Sequence, residues 1–210
     1  MIDKICLFLT EKIKNEMPEV DGQRAEIINY GLHLLIGELP KNIIILGIAY
    51  LLGVFKYTLL TVILLMPYRL ASGGFHLKTH IGCILGTTLM YCGIAKISYY
   101  IIFYNQILKY IICLSVWIFG MIMIYLYAPA DTENVPIVSK KERKQKKNLS
   151  YIFLTMALLT ACVIPNNEIS NILILSYFVQ TITITKLAYK LTKNKYGYIL
   201  YENQNITQNT

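Results

Sequence analysis

The stretch Arg69-Leu70-Ala71-Ser72-Gly73-Gly74-Phe75-His76-Leu77-Lys78-Thr79-His80-Ile81-Gly82-Cys83 separates two long apolar runs, residues 42–68 and 81–103. It is polar and contains glycine, and it holds two of the three histidines and one of the five cysteines in the chain. Because paired glycines let the backbone turn tightly, the stretch predicts a turn between two apolar helices. A histidine followed by a cysteine at the start of an apolar helix is also a candidate catalytic pair.

The composition indicates a membrane protein. The 210 residues are 55% hydrophobic and 15% charged, whereas soluble domains carry roughly 25% charged residues. Several apolar runs approach or exceed the roughly 20 residues that cross a bilayer as a helix. The first six residues lack the pattern of a secretory signal peptide, so we expect none. The five cysteines are odd in number and scattered, which argues against a disulfide framework or a structural zinc site.

The apolar pattern predicts an all-α, polytopic protein with an N-terminal amphipathic helix over residues 2–16 and about six transmembrane helices. A second helix follows at about 23–39. Before Arg69, the topology requires either a hairpin within 38–71 or one span in 24–39 and one in 42–68. We favour the hairpin, in which two short helices turn near Gly53–Lys56, because Arg24, Glu26 and Glu38 are costly to bury in lipid. The later spans are predicted at 81–103, 107–128, 149–164 and 169–189.

We therefore divide the chain into three regions. Residues 1–40 form the interfacial N-terminal helices, residues 41–190 form the transmembrane domain, and residues 191–210 form a polar C-terminal tail. The transmembrane domain contains two distinctive loops, a candidate catalytic loop at 69–83 and a basic loop at 130–148.

The basic residues predict the orientation in the membrane, because cytoplasmic loops collect Lys and Arg. The net charge of +8 is therefore read as a topology signal, and we expect lipid rather than nucleic acid as the partner. Counting spans from the basic loop places residues 69–80 and both termini in the cytoplasm. All basic residues except Lys56, Lys96 and Lys109 then lie on that side. The six residues that define the basic loop are Lys140, Lys141, Arg143, Lys144, Lys146 and Lys147.

The pair His76 and Cys83 predicts nucleophilic catalysis. The thiolate is the reactive form of cysteine, and a nearby histidine or a helix N-terminus favours it. Seven residues along one helix correspond to a rise of about 10.5 Å, whereas proton transfer needs roughly 2.6–3.2 Å. His76 must therefore lie in a turn that folds back toward Cys83, which Gly73 and Gly74 permit. Backbone amides at the start of the helix, that of Cys83 included, could stabilise an oxyanion.

Other interpretations of these side chains stay open. The i, i+4, i+7 spacing of His76, His80 and Cys83 could present three metal ligands on one helix, although the glycines argue against a helix there and we expect no metal or cofactor. His33 could be a hydrogen-bonded structural residue. Arg69 could be an interfacial anchor or could bind a substrate carboxylate. Asp131 and Glu133 could orient His76.

The pattern Arg69-x-x-x-Gly73-Gly74-x-His76, followed by Cys83, resembles the accessory gene regulator protein B (AgrB) family. The segments 127–136 and 26–32 resemble further signatures of that family, in the same order along the chain. His33 stands where many relatives carry a carboxylate, so the pattern does not match there.

The resemblance implies a membrane cysteine endopeptidase of bacterial quorum sensing, located in the cell membrane and acting as a homodimer. Its substrate would be a precursor peptide resembling accessory gene regulator peptide precursor (AgrD), cleaved through a Cys83 thioester with His76 as base and acid, and then cyclised to a thiolactone or lactone. A peptide exporter and a membrane cysteine acyltransferase are the alternatives. The candidate substrate-binding or supporting residues are Arg69, Gly73, Gly74, Glu26, Asp131, Lys140, Lys141, Arg143 and Lys144.

Overall fold

The computed structural model describes residues 2–17, 19–33, 35–36, 39–77, 79–101, 105–132, 137 and 139–199. This part of the chain is helical apart from short connections, and Gly73 and Ala130 form an isolated bridge between extended segments. The predicted all-α class is therefore confirmed. The helices are α1 (Ile2–Glu16), α2 (Gly22–His33), α3 (Leu39–Leu51), α4 (Phe55–Ser72), α5 (His80–Tyr100), α6 (Gln106–Tyr127), α7 (Lys140–Val163), α8 (Asn167–Thr183) and α9 (Lys186–Leu191).

The N-terminal unit comprises Met1–Leu52. In it, α1 packs against α2, and Cys6 and Thr10 are buried while Leu7 and Phe8 are exposed. The predicted helix is thus present, and its lying in the membrane interface stays a prediction. The described part of the second helix, Gly22–His33, lies within the predicted range of about 23–39. The unit also includes α3, and the predicted division at residue 40 stays a prediction.

The apolar run 42–68 is broken into two helices at the predicted place. Gly53 has a φ of +70°, a backbone conformation that glycine adopts without steric cost. The helix therefore ends at Leu51 and α4 begins at Phe55. The break near Gly53 is confirmed, and the crossing of the membrane by both helices stays a prediction.

The second unit, Gly53–Thr210, is built around α8. This helix packs against α4, α5, α6 and α7. It is buried along much of its length, and several of its buried side chains are polar. Since a polar group buried without a partner is costly, these side chains are the ones to follow in locating a site. They are Ser170, Asn171, Ser176, Gln180, Thr181 and Thr183.

Hydrogen bonds between helix termini establish the direction of each helix in this unit. At one end, Gln180 near the end of α8 bonds Gly73 after α4, and Ala130 after α6 bonds Ser72 at the end of α4. Near the start of α8, Asn171 bonds Ile101 after α5, and Lys109 at the start of α6 bonds Ile164 after α7. Thus α4, α6 and α8 run in one direction and α5 and α7 in the other. We call the end that contains residues 73–79 and 128–132 the loop end, and the opposite one the far end.

The predicted basic loop 130–148 is a loop only in its first part. Ser139 caps α7 by accepting a hydrogen bond from the Glu142 amide, and the helix includes the basic cluster from Lys140 onward. Side-chain capping and the good helix propensity of Lys, Arg and Glu explain this extension. Lys146 and Glu142 also form an ion pair one turn apart, 3.1 Å between Nζ and Oε1.

Two helices in the described part of the chain are long and apolar enough to cross a membrane, Ile81–Tyr100 and Gln106–Tyr127. The shorter apolar helix Leu39–Leu51 falls below that length. On α5 and α6, large apolar side chains such as Leu89, Ile111 and Leu114 are exposed. The count of about six spans rests on the sequence pattern and on the alternating helix directions.

Candidate functional site

The connection between α4 and α5, residues 73–79, carries His76. Helix α4 ends at Ser72, and Thr79 starts α5 by accepting a hydrogen bond on Oγ1 from the Gly82 amide, 3.1 Å away. His76 is exposed in the non-helical segment, while Cys83 is half-buried near the start of α5. His76 therefore lies outside the helix, as the distance argument predicts. A row of three metal ligands on one helix face is wrong for the same reason.

Gly73 allows the connection to approach residues that follow α6. The Gly74 amide donates to the Ala130 carbonyl at 2.9 Å, and the Ala130 amide donates to the Ser72 carbonyl at 2.8 Å. Gly73 has φ +75° and ψ −148°, and a Cβ added there would lie 2.2 Å from the Ala130 oxygen. Only glycine fits both the backbone conformation and the space. The 127–136 signature is thus in direct contact with the Gly-Gly pair.

Gln180 on α8 holds the same connection from the other side. Its Nε2 donates to the Gly73 carbonyl at 2.7 Å and to Ser72 Oγ at 3.3 Å. Its Oε1 accepts from Arg69 Nη1 at 3.0 Å, and the side chain is fully buried. Arg69 is thereby tied to α8 through its guanidinium. Gln180 is not among the predicted site residues, although an amide inside an apolar span is a signal, because burying it requires partners.

Gly74 is also enclosed by α8. A Cβ added there would lie 2.7 Å from Thr183 Oγ1, and the Phe75 amide donates to the Thr183 carbonyl at 3.4 Å. Both glycines singled out in the sequence thus lie against backbone or side chains of other elements. The two glycines allow other segments to approach the connection closely, as well as allowing the chain to turn.

The last residues of the connection before α5 fold back along that helix. A Cβ placed on Gly86 would lie 2.9 Å from Leu77 Cδ1, and one placed on Gly82 would lie 3.8 Å from Leu77 Cβ. Leu77 therefore rests on the two glycines that flank Cys83 on the helix. This contact places the backbone next to His76 along the first turns of α5.

The Cys83 amide is not available as an oxyanion donor. It donates to the Thr79 carbonyl at 2.9 Å within the first turn of α5. The Gly82 amide is likewise taken by the Thr79 cap. The expectation that the Cys83 amide stabilises an oxyanion is wrong. Thr79 caps α5, so the Cys83 amide already bonds a carbonyl within the first turn and is not one of the unpaired amides at the helix start.

Asp131 is a buried junction at the loop end. Its Oδ2 accepts from Arg143 Nη1 at 3.0 Å, from the Ile137 amide at 2.9 Å and from the Tyr198 amide at 3.0 Å. Tyr189 Oη lies 3.0 Å from the carbonyl oxygens of both Ala130 and Asp131. These contacts join the segment after α6 to α7, to α9 and to the C-terminal residues. An orienting effect of Asp131 on His76 stays a prediction.

The basic cluster at the start of α7 divides into two groups. Arg143 is half-buried on Asp131, and Lys147 Nζ donates to the Tyr125 carbonyl at 2.7 Å. Burial, followed by the charge of Arg143, lowers the pKa of Lys147 below its usual value. Lys140, Lys141 and Lys144 are exposed. These three lysines present their charge to the surroundings of the loop end.

Four predicted residues lie outside what the structure describes. Glu133 lies outside the described residues, and Glu26, His33 and His80 lie outside those whose side chains the structure describes. Among the described residues, no group of three or more His, Cys, Asp or Glu side chains is arranged to hold a metal ion.

The fold and the site define an all-helical protein of membrane type, with a histidine and a cysteine at one end of a helical unit. The sequence profile Accessory gene regulator B matches residues 6–184. The chain therefore belongs to the accessory gene regulator B family, as its motifs predict. Membership of this family implies a part in processing the quorum-sensing peptide of the accessory gene regulator (agr) system.

Named relatives agree with the assignment. A protein of Listeria innocua named AgrB-like is 29% identical over 176 residues, which are 83% of this chain and 84% of that protein. An AgrB-like protein 2 of Clostridium perfringens is 31% identical over 160 residues, 75% of this chain and 74% of that protein. No solved structure matches the chain.

Proposed function

We propose that this protein is a membrane-embedded cysteine endopeptidase that cleaves an AgrD-like precursor peptide and promotes its cyclisation. The observation that carries the proposal is the return of residues 73–77 toward α5, with Leu77 resting on Gly82 and Gly86. This return gives His76 a route to Cys83 that a continuous helix denies. Family membership supplies the substrate class.

In the proposed reaction, Cys83 attacks the scissile carbonyl carbon of the precursor. His76 takes the thiol proton as base and delivers it to the leaving amine as acid. The carbon–nitrogen bond breaks, the C-terminal fragment leaves, and the N-terminal fragment stays on Cys83 as a thioester. The positive end of α5, near which Cys83 lies, favours the negative charge of the attacking sulfur.

The second step transfers the acyl group within the substrate. A thiol or hydroxyl of the precursor attacks the thioester carbonyl, closes a thiolactone or lactone, and returns the thiol of Cys83. Exchange between a thioester and a thiol is close to isoenergetic, so water must be kept from the acyl group. A site at the membrane interface, covered by the α4–α5 connection, would limit that access.

The proposed topology places the loop end in the cytoplasm. The directions of α4 to α8 alternate, and the loop end carries Arg69, Arg143 and the three exposed lysines of α7. This distribution supports the positive-inside orientation. With α3, six helices would then cross the bilayer. The resemblance also implies a homodimer, which chemical cross-linking in membranes would test.

Substrate docking is proposed for the exposed face at the start of α7. An acidic segment of the precursor, which the resemblance implies, would be attracted by Lys140, Lys141 and Lys144. Replacing these three residues with Gln should raise the KM for the precursor. Replacing the neighbouring exposed Gln145 with Ala is the matched control and should leave KM unchanged, and an unchanged KM in the triple variant would contradict this docking surface.

The proposed activity is tested by co-expressing the chain with a candidate precursor and detecting products by mass spectrometry. A product that is lighter by one water than the same fragment released by hydrolysis shows that the fragment is cyclic. Cys83→Ser and His76→Ala should each abolish it. Product from either variant would end the proposed mechanism, transport of uncleaved peptide would favour an exporter, and a lipid adduct would favour an acyltransferase.

A further inference from the structure

The residues after α9 return to the loop end and contact His76 itself. After Leu191 the chain turns at Lys193, whose φ is +55°, and the Asn194 amide donates to the Tyr189 carbonyl at 2.9 Å. Asn194 Nδ2 donates to the His76 carbonyl at 2.8 Å. A segment that the sequence analysis treats as a polar tail therefore bonds the backbone of the candidate catalytic histidine.

The orientation of the Asn194 side chain is determined by its neighbours. Nδ2 also donates to Thr192 Oγ1 at 2.8 Å, and Thr192 Oγ1 in turn donates to the Ala188 carbonyl at 2.8 Å. Thr192 has only one hydroxyl proton, so toward Asn194 it must accept. A flipped amide would set an oxygen against the His76 carbonyl. The amide nitrogen is thus the atom that must face His76.

Tyr196 anchors the same segment through its ring. The ring stacks on Tyr189 with centroids 4.1 Å apart and planes 10° apart, and it lies parallel to Tyr127 at 6.2 Å. Its hydroxyl donates to the Ile184 carbonyl at 3.0 Å. Three tyrosines from α6, α9 and the C-terminal residues thereby form one stack at the loop end.

Tyr198 supplies a further anchor. Its amide donates to Asp131 Oδ2 at 3.0 Å, and its ring lies under the Arg143 guanidinium at 4.2 Å from the ring centroid. Arg143 is itself paired with Asp131. The cation, the carboxylate and the ring therefore fix the segment beyond Asn194, while the bond from the Asn194 amide to Tyr189 holds it to α9.

We propose that residues 192–198, the C-terminal clasp, set the position of His76 and that Asn194 is a positioning residue for it. This inference rests on the proposed endopeptidase function. Gly74 and Phe75 are tied to Ala130 and Thr183, whereas the Asn194 bond is made to His76 itself. Because reaction requires close approach, a displacement of about 1 Å can lower a rate by about 10²-fold. The clasp supplies a restraint on the backbone of the exposed histidine that is proposed to act on Cys83.

The test uses the full chain in proteoliposomes with Asn194→Asp and Asn194→Ala. Asp keeps the shape of Asn but cannot donate to the His76 carbonyl. We expect kcat for precursor cleavage to fall about tenfold in both variants, with KM changed less than about twofold. Lys195→Ala, an exposed neighbour in the clasp, is the matched control and should retain the kcat of the parent chain.

A second readout needs no precursor. Iodoacetamide alkylates Cys83 by displacement of iodide, and peptide mass spectrometry gives the rate at pH 7. His76→Ala should slow this rate, and both Asn194 variants should slow it toward the same level. The thiols of Cys92 and Cys113 are buried, so their reactivity reports on the integrity of the fold. We expect both thiols to stay unreactive in every variant.

Two results would overturn the positioning role. One is an Asn194→Asp chain with the parent kcat and the parent alkylation rate at Cys83. The other is increased reactivity of Cys92 or Cys113 in both Asn194 variants, which would assign the clasp to general stability. Failure of the proposed function gives a different pattern, in which the parent chain yields no product and His76→Ala leaves Cys83 alkylation unchanged.

Discussion

Substituting Gly73 with Ala should destabilise the protein far more than a Gly-to-Ala change elsewhere. The backbone at Gly73, with φ +75° and ψ −148°, lies in a region that is essentially restricted to glycine and costs other residues about 1–3 kcal/mol. The new Cβ would also meet the Ala130 oxygen at 2.2 Å and its carbonyl carbon at 2.8 Å. Because both atoms belong to the backbone, no side-chain rotation can relieve the overlap.

The magnitude follows from what must separate. Moving Ala130 away by about 1 Å would break two hydrogen bonds, from the Gly74 amide to the Ala130 carbonyl and from the Ala130 amide to the Ser72 carbonyl. Each is worth about 0.5–1.5 kcal/mol. Together with the cost of placing Ala in this backbone conformation, the folded state loses about 4 kcal/mol of stability. The lower entropy of Ala in the unfolded chain returns about 0.4–1 kcal/mol. We expect a net destabilisation of about 3 kcal/mol, a large share of a typical folding free energy of about 5–15 kcal/mol.

The assay is thermal unfolding of the purified protein in detergent, followed by the exposure of buried cysteines to a thiol-reactive dye. For a chain of this length, about 3 kcal/mol corresponds to a fall in Tm of about 6–12 °C. Gly93→Ala is the matched control, because a Cβ there meets nothing within 4 Å. In the interior of α5 that change should be neutral or stabilising by about 0.5–1 kcal/mol.

The reasoning is refuted if Gly73→Ala and Gly93→Ala unfold at the same temperature. That result would mean that residues 72–74 and Ala130 do not pair in the protein. A fall in Tm for Gly73→Ala alone would support the pairing. Precursor cleavage measured on the same samples should fall with it, since the pairing holds the connection that carries His76.

Two further outcomes are expected. Gln180→Leu should lower Tm more than Gln180→Glu, because Leu removes both the donor to the Gly73 carbonyl and the acceptor for Arg69, whereas Glu still accepts from Arg69; equal Tm values for the two variants would contradict the network. Burial, together with nearby Tyr127, raises the pKa of Tyr196 above its ordinary value. The unfolded chain loses this proton near pH 10 while the folded chain keeps it, so stability is unaffected below pH 10 and falls as the pH rises above it. Tyr196→Phe should flatten the slope of Tm against pH above pH 10, and an unchanged slope would contradict the burial of this hydroxyl.

The parts of the fold that depend on local chemistry were predictable from the sequence. Gly53 marks the break between α3 and α4, and the rise per residue of a helix separates His76 from the helix that carries Cys83. The basic cluster was predicted as a loop because Lys and Arg mark cytoplasmic loops, but the same two residue types also favour helices. The cap at Ser139 was the available sign that Lys140 begins a helix. Thr185, which caps α9, likewise divides the predicted span 169–189.

The contacts that shape the site were not predictable in this way. Gly73 and Ala130 are far apart in the chain, and Gln180 and Asn194 are farther still from the residues that they bond. No periodicity or spacing rule links such positions, because their pairing depends on how α4, α6 and α8 end at the same side of the unit. A single sequence supplies the motif 127–136 and the Gly-Gly pair but not their contact.

The energetics of the α4–α5 connection explain why so many separate segments meet there. Fixing each backbone residue costs about 1–2 kcal/mol in conformational entropy, and glycine loses the most on ordering. One hydrogen bond contributes a net of about 1 kcal/mol, so the connection cannot order itself through its own contacts. Ala130, Gln180 and Asn194 add bonds from three other parts of the chain. The order of the site is therefore a property of the whole second unit, and substitutions remote in sequence should weaken it.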